Sequence, residues 1–363
     1  MPATSARQLD QLAKKLEPPI AKAFLRAISA VTSKAGVTLI AQLLQAGRVD
    51  EVMHVLGLDE AQFTELGEAL RDAYKAGGQQ ATTEMPKIRL SLDPGITGSY
   101  QPRSQSPVLT IRFDLRNPVA EQWVREASSK LITEILDSQR EAIRNTLAQG
   151  IAAGRNPRQT ALDIVGRTAE TGRRSGGIVG LTSQQAGFVS NVRAELASGD
   201  PKLMEHYFTR GRRDRRLDGI VRRAIAAGKP VGRADIDKIA GRYADRLLQL
   251  RGEMIARTES IASMAAGREE GYRQQIAAGN LDPENVTGTW DTAGDNHVRH
   301  SHAAMNGQQR KFGQPFQSPS GALMLYPGDT SLGAGPEEII GCRCHKQYRI
   351  NMAAEALRGQ QVR

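Results

Sequence analysis

The sequence predicts a mainly α-helical chain with a small C-terminal α+β module, in which long helices dominate and a short β-pair precedes the helical middle. Three observations carry this. Apolar residues recur at helical spacing for about 160 residues from Asn117. Aromatic residues number only 16 of 363 while alanine is abundant, which suits close helix–helix contacts better than a β-sandwich. Over the last 85 residues Gly, Pro, Asp and Asn rise, and short alternating segments replace the helical pattern.

The elements follow in order. Ile20, Phe24, Leu25, Ile28 and Val31 lie at helical spacing, and Asp59 is placed to cap a helix bearing Phe63, Leu66, Leu70 and Tyr74. Residues 1–85 therefore read as an N-terminal helical region, with the Gly-Gly-Gln-Gln-Ala-Thr-Thr run at 77–83 as a linker. Residues 86–116 hold two alternating segments, Ile88–Leu92 and Leu109–Leu115, which predict a β-pair joined by a long, mobile Gly/Pro/Ser-rich loop. Residues 117–250 form the helical middle. Val119, Val124, Leu131, Ile135, Ile143 and Leu147 outline a helix ending near Gly150, and Asn156-Pro157 supplies a cap and first position for a short helix through Ile164. A loop through Gly172–Gly180 follows. Thr182 then opens a helix with Phe188, Val192 and Leu196, and Asp200-Pro201 starts another.

From about Ala234 to Ala278 the pattern predicts a helix or a broken pair, with Gly252 as the break. Along it Glu253 with Arg257, and Glu269 with Arg273, have favourable i,i+4 spacing, and Ala256, Ala262, Ala265 and Ala266 leave room for a close helix neighbour. Residues 251–350 read as the compact α+β module, with β-like pieces at Val286–Trp290, Leu323–Tyr326 and Arg343–Ile350. Residues 351–363 read as a polar tail.

Composition excludes several classes. An apolar fraction of 39% is enough for a core, so the whole chain is not disordered. No run of about 18 apolar residues occurs, which predicts no membrane anchor. The first 20 residues lack the apolar stretch of a secretory signal, and two cysteines cannot build a disulfide framework. Together these predict a soluble protein made in a cytosol.

The net charge of +10 is unevenly spread: −1 over residues 1–85, +4 over 86–200, +7 over 201–250 and zero over 251–363. Within the basic stretch Arg210, Arg212, Arg213, Arg215, Arg216, Arg222 and Arg223 crowd together against Asp214 and Asp218. Such a cluster attracts phosphates without reading sequence. On a helix 212, 216 and 223 would share a face, as would 215 and 222. Three readings stay open: contact with the backbone of double-stranded DNA, docking of an acidic protein, or a solvated surface.

Four of six histidines and both cysteines fall between 297 and 345: His297, His300, His302, Cys342, Cys344 and His345. A Cys-x-Cys pair in a strand puts both sulfurs on one face, and a His-x-x-His-x-His segment upstream supplies further ligands for a tetrahedral zinc. A structural metal, buried thiols without metal, and redox use are the three readings. No His-Glu-x-x-His, Gly-x-Ser-x-Gly or phosphate loop is present, and Asp295, Asp329, Glu337 and Glu338 are candidate bases only by proximity in sequence. A structural staple fits better than a hydrolytic centre; the sequence requires no cofactor, and structural zinc is the one candidate.

The order Ile-Ala-Arg-Thr-Glu (255–259), Trp290, Asp-x-x-Val-Arg-x-x-His-x-x-x-Asn-Gly (295–307), Tyr-Pro-Gly-Asp (326–329) and Gly-Cys-Arg-Cys (341–344) resembles the phage Mu F-like family of minor head, or head morphogenesis, proteins of tailed bacteriophages. The helical region from about 117 to 250, including Gly-Leu-Thr-Ser-Gln-Gln (180–185), also resembles the stretch upstream in relatives. The positions matching the pattern are Arg257, Thr258, Glu259, Asp295, Arg299, His302, Gly307, Pro327, Asp329, Cys342, Arg343 and Cys344, whereas His297 and His300 are atypical. His302, Cys342 and Cys344 are thus the core of any metal site. The resemblance implies a non-enzymatic virion protein near the portal vertex, made in the bacterial host cytoplasm. The portal protein, the major capsid protein or both would be its partners, and it would act in head morphogenesis and in DNA packaging or ejection. The competing classes are a metal-dependent hydrolase using the His/Cys cluster and a cytosolic nucleic-acid-binding protein.

Overall fold

The computed structural model describes residues 5–85, 88–89, 108–109, 111–152, 154–168, 172 and 174–361. In chain order α1 (Ala6–Lys34), α2 (Val37–Gln45), α3 (Val49–Val55) and α4 (Thr64–Glu84) come first. The pair β1 (Ile88–Arg89) and β2 (Val108–Leu109) leads to α5 (Pro118–Ala152), α6 (Pro157–Val165), the pair β3 (Arg167–Thr168) and β4 (Arg174–Ser175), α7 (Ser183–Ala197), α8 (Pro201–Thr209), α9 (Asp218–Ala226) and α10 (Arg233–Ala277). The last part comprises β5 (Val286–Asp291), α11 (His300–Met305), β6 (Gln309–Lys311), β7 (Phe316–Gln317), β8 (Leu323–Met324), α12 (Pro336–Ile339), β9 (His345–Ile350) and α13 (Met352–Gln361). Helix makes up 66% and the strands are short, so the mainly α chain with a C-terminal α+β module is what the structure has.

Local chemistry explains the helix starts. Asn156 accepts from the Arg158 N–H with Pro157 at the first position, Asp200 accepts from Lys202 N, and Thr182 with Gln185 forms a reciprocal capping box. Asp59 is extended but makes no side-chain cap; it precedes a short 3-10 turn, Glu60–Phe63, ahead of α4.

Several expectations are corrected. Residues 77–83 are not a linker but the interior of α4. A β-carbon on Gly77 would sit 2.0 Å from the Met264 carbonyl oxygen, and one on Gly267 would sit 1.9 Å from that of Tyr74. The glycines thus let α4 and α10 touch backbone to backbone, which a linker reading cannot foresee. α10 runs unbroken through Gly252, where a β-carbon would meet Phe24 at 3.4 Å; the small residue serves packing, not a break. The predicted strands at 88–92 and 109–115 reduce to two residues each, with Ile88 opposite Leu109, and 111–115 is irregular. The loop expected between them lies outside the described residues. Residues 352–361 form a helix where a polar tail was expected.

The chain forms two compact units. One draws on Met1–Ile20, Glu68–Glu126 and Met254–Arg363, the other on Ala21–Gly67 and Ala127–Glu253. In the second, the Arg251 Nη1 donates to the Gly180 carbonyl at 2.8 Å, and Arg193 bridges Asp163 at 3.0 Å and Asp237 at 2.5 Å. In the first, Tyr74, Trp123, Ala265, Ala266 and Tyr326 pack together, which uses two of the alanines expected to face a neighbour. Its three-stranded antiparallel sheet has the order β6-β5-β9, so β5 is central, and its residues alternate between buried and half-buried. No single helix among the described residues is long and apolar enough to cross a membrane.

Candidate functional site

The C-terminal module is organised around the turn at 340–344. Gly341 has φ +68, a backbone few other residues adopt, and the sharp turn there sends the chain back toward α11. The Gly341 N–H donates to Thr258 Oγ1 on α10 at 2.9 Å, and Arg299 donates to the Ile340 carbonyl. Arg343, between the cysteines, donates from Nη1 to Asp295 Oδ2 at 2.7 Å, which holds the Asp295 carboxyl below its usual range. Asp329 is buried and accepts from the N–H groups of Leu325 (2.7 Å) and Ser331 (2.8 Å), closing the Tyr-Pro-Gly-Asp turn against α10. There a β-carbon on Gly328 would lie 2.7 Å from that of Ala262. Gly307 takes φ +78 and donates its N–H to the Trp290 carbonyl at 2.8 Å. Arg257 turns to Glu17 at 3.4 Å rather than to Glu253, and Glu259 lies half-buried on α10.

This turn brings His302, Cys342 and Cys344 together, all buried. The two sulfurs lie 3.5 and 3.4 Å from His302 Nδ1. Among the described residues these are the side chains whose N, O or S atoms converge closely enough to hold a metal, all within 4.8 Å of one another. The cysteines sit just ahead of β9 and not in a strand; the irregular Cys342–Cys344 backbone still places both sulfurs on His302. The Cys344 N–H donates to Cys342 Sγ at 3.4 Å. Hydrogen bonding from the Cys344 side chain, with His302 beside it, holds the Cys342 thiol well below its ordinary value; the same pairing, with burial, raises Cys344. The pair therefore parts with one proton far more readily than with a second. Trp290 stands edge-on to the His302 ring at 5.3 Å, and Phe316, Met305 and Met324 complete the wall.

Behind the imidazole lies Glu338. Its Oε2 is 2.9 Å from His302 Nε2, off the N–H axis, and accepts from Ser301 Oγ at 3.0 Å. Its Oε1 accepts from Ser318 at 3.2 Å and Ser320 at 2.6 Å. Burial opposes the Glu338 charge, but the Ser320 and Ser301 hydroxyls and then His302 outweigh it and hold its pKa below the usual value. Of the acids considered as bases, Glu338 thus stands on the far nitrogen of His302, Asp295 is paired with Arg343, and Asp329 is tied to backbone N–H groups. His297 and His300 are exposed and outside the converging group. His345 is buried but also outside it; burial, with Arg268 nearby, brings its pKa down to about 4, so it is neutral at pH 7.

A second buried assembly has no counterpart in the sequence reading. Arg268 donates from Nη2 to Glu84 at 2.9 Å and from Nη1 to the Lys346 carbonyl at 2.5 Å. Lys346 Nζ donates to Glu269 Oε2 at 2.6 Å, and the Tyr348 hydroxyl donates to the same oxygen. Glu269 therefore faces the sheet instead of pairing with Arg273, which lies 3.5 Å from Glu270. Tyr272 stacks on Tyr348 at 4.1 Å. Lys346 and Tyr348, two positions apart on β9, share a face of the strand, and nothing local in the sequence marks that face as buried.

The arginines divide into two sets. Arg210 binds Glu195 at 2.8 Å and Arg213 binds Asp218 at 3.2 Å, both half-buried. Arg216 is bonded to Asp214 at 2.8 Å yet 78% exposed, and Arg222 is 3.9 Å from Asp218 with its guanidinium 5.5 Å from the Phe208 ring centre. Arg212, Arg215 and Arg223 are exposed and make no ion pair with a described residue. The stretch is not one helix, because a turn and a 3-10 segment (Arg215–Leu217) separate α8 from α9, so the faces expected for 212, 216 and 223 do not form.

Comparison with known proteins gives one family match. The model described as phage Mu protein F like protein matches residues 217–347. The match takes in α9, all of α10 and the module through most of β9, and does not extend into residues 117–216. No curated protein and no solved structure matches the chain.

Proposed function

From the phage Mu protein F like character of residues 217–347, we propose that this chain is a head morphogenesis protein of a tailed phage, a minor virion component acting beside the portal. The family match carries the reading. The geometry supports a scaffold role for the motif residues: Thr258, Asp295, Arg299 and Arg343 each hold the 340–344 turn, and Asp329 closes its neighbour. These contacts are made within the chain. The portal or the major capsid protein would receive the helical part, and the exposed Arg212, Arg215, Arg216, Arg222 and Arg223 would face packaged DNA.

Mass spectrometry of gradient-purified particles tests this. The chain is expected at low copy in proheads and to disappear from proheads assembled without portal. Its presence in lysate with none in particles would sink the virion reading, and unchanged incorporation without portal would sink the placement.

A further inference from the structure

We infer that His302, Cys342 and Cys344 form a zinc site that cross-links α11 to the turn before β9. The inference goes beyond the head-protein reading and does not depend on it. In a tetrahedral site with Zn–S of about 2.3 Å and Zn–N of about 2.0–2.1 Å, each S–N edge spans about 3.6 Å. The two S–N distances here are 3.5 and 3.4 Å, so both S–N separations match the edges of such a tetrahedron.

The surroundings fit a metal-binding imidazole. Glu338 occupies the Nε2 side and is itself held by three serine hydroxyls, which leaves Nδ1 turned to the sulfurs. Carboxylate behind a ligating histidine is the usual device that fixes ring orientation and raises ligand basicity. The Cys344 N–H directed at Cys342 Sγ stabilises a thiolate in a pocket otherwise walled by Trp290, Met305 and Phe316. Two sulfurs and one imidazole suit zinc and reject hard oxygen-seeking cations such as calcium or magnesium. Three protein donors leave the fourth corner of the tetrahedron for a further ligand. The cross-link would span the 40 positions between His302 and Cys342, a loop-rich stretch whose only strands are short.

The experiment uses the full chain, purified under reducing conditions, loaded with zinc, and passed through a desalting column before elemental analysis. About one zinc per chain is expected. Cobalt(II) exchanged into the protein should show thiolate-to-metal charge-transfer absorption. That band should weaken in Cys342→Ser and Cys344→Ser, and Glu338→Gln should lower zinc affinity about 10–100-fold at unchanged stoichiometry. Less than a tenth of an equivalent in the reduced wild-type chain would overturn the site, and so would stoichiometric copper or iron in place of zinc. Should the serine variants fail to fold, the wild-type stoichiometry and cobalt spectrum still decide. Zinc bound without any thiolate absorption in the cobalt form would place the metal elsewhere and overturn the assignment.

Discussion

Lys346 is 1% exposed, and burial lowers its pKa while Glu269 opposes that shift. Removing one partner of such a pair leaves a buried charge, so Lys346→Met is expected to cost about 3–5 kcal/mol in urea unfolding. The double change with Glu269→Gln should recover most of it; a double variant as unstable as the single would refute the pairing. Asp214 shows the pH side of residue-scale electrostatics. The Arg216 side chain, against some opposition from burial, brings its pKa from 3.8 down to about 2. Between those values the unfolded chain binds a proton that the folded chain does not, so stability rises with pH there. The contribution is fully present above about pH 4 and is lost as pH falls through about 2. Since Arg216 is mostly exposed, solvent screening reduces it to about 1 kcal/mol. Wild type and Asp214→Asn should therefore differ by about that amount at pH 6 and converge near pH 2; a gap independent of pH would refute this. At this scale the sequence was readable where residue type singles out side chains, as with the convergence of His302, Cys342 and Cys344. Glu84, Arg268, Glu269 and Lys346 escaped because burial of a charged residue depends on partners far along the chain.

At the scale of elements, the seam between α4 and α10 is the most demanding contact. Gly267→Ala would drive a methyl into the Tyr74 carbonyl, and Gly77→Ala into that of Met264. Each is expected to cost more than about 2 kcal/mol, because the obstruction is backbone and cannot rotate away. Gly187 in α7 has nothing within 4 Å of an added β-carbon, so Gly187→Ala should stabilise by about 0.5–1 kcal/mol. Thermal unfolding of the three variants checks both signs at once; equal effects at 267 and 187 would refute the seam. Helix starts at Asn156, Thr182 and Asp200 were legible since a cap is made within three residues. The Gly-Gly run was misread for the opposite reason: glycine in a linker and glycine at a helix contact look alike until the second helix is known. The Cys-x-Cys pair was placed in a strand, yet Gly341 and the α12 turn hold it just outside.

At the scale of the whole molecule, the positive excess separates into internal and outward arginines. Arg210 and Arg213 are engaged within the chain. Replacing Arg212, Arg215 and Arg223 by Ala is thus expected to reduce the slope of log affinity against log salt for duplex DNA by roughly 3, at about 0.9 per phosphate contact. Replacing Arg210 and Arg213 should instead lower stability, and a salt slope untouched by the outward set would move the patch to protein docking. Fold class was legible because periodicity and composition are averages over many residues. The grouping of Met1–Ile20, Glu68–Glu126 and Met254–Arg363 into one unit was not, since no local feature announces which distant stretches will meet.

That discontinuity sets a clock on synthesis. Glu84 emerges from the ribosome 184 positions before its partner Arg268. At about 5–20 residues per second, α4 waits roughly 10–40 s for the helix that covers it. Protease protection around Ala81, which packs against Tyr272 and Tyr348, should accordingly appear in nascent chains only once those residues have emerged. Until then the bare face of α4 is open to chaperones and to neighbouring nascent chains, so the pace of translation, as well as the final stability, governs how much protein reaches its native state.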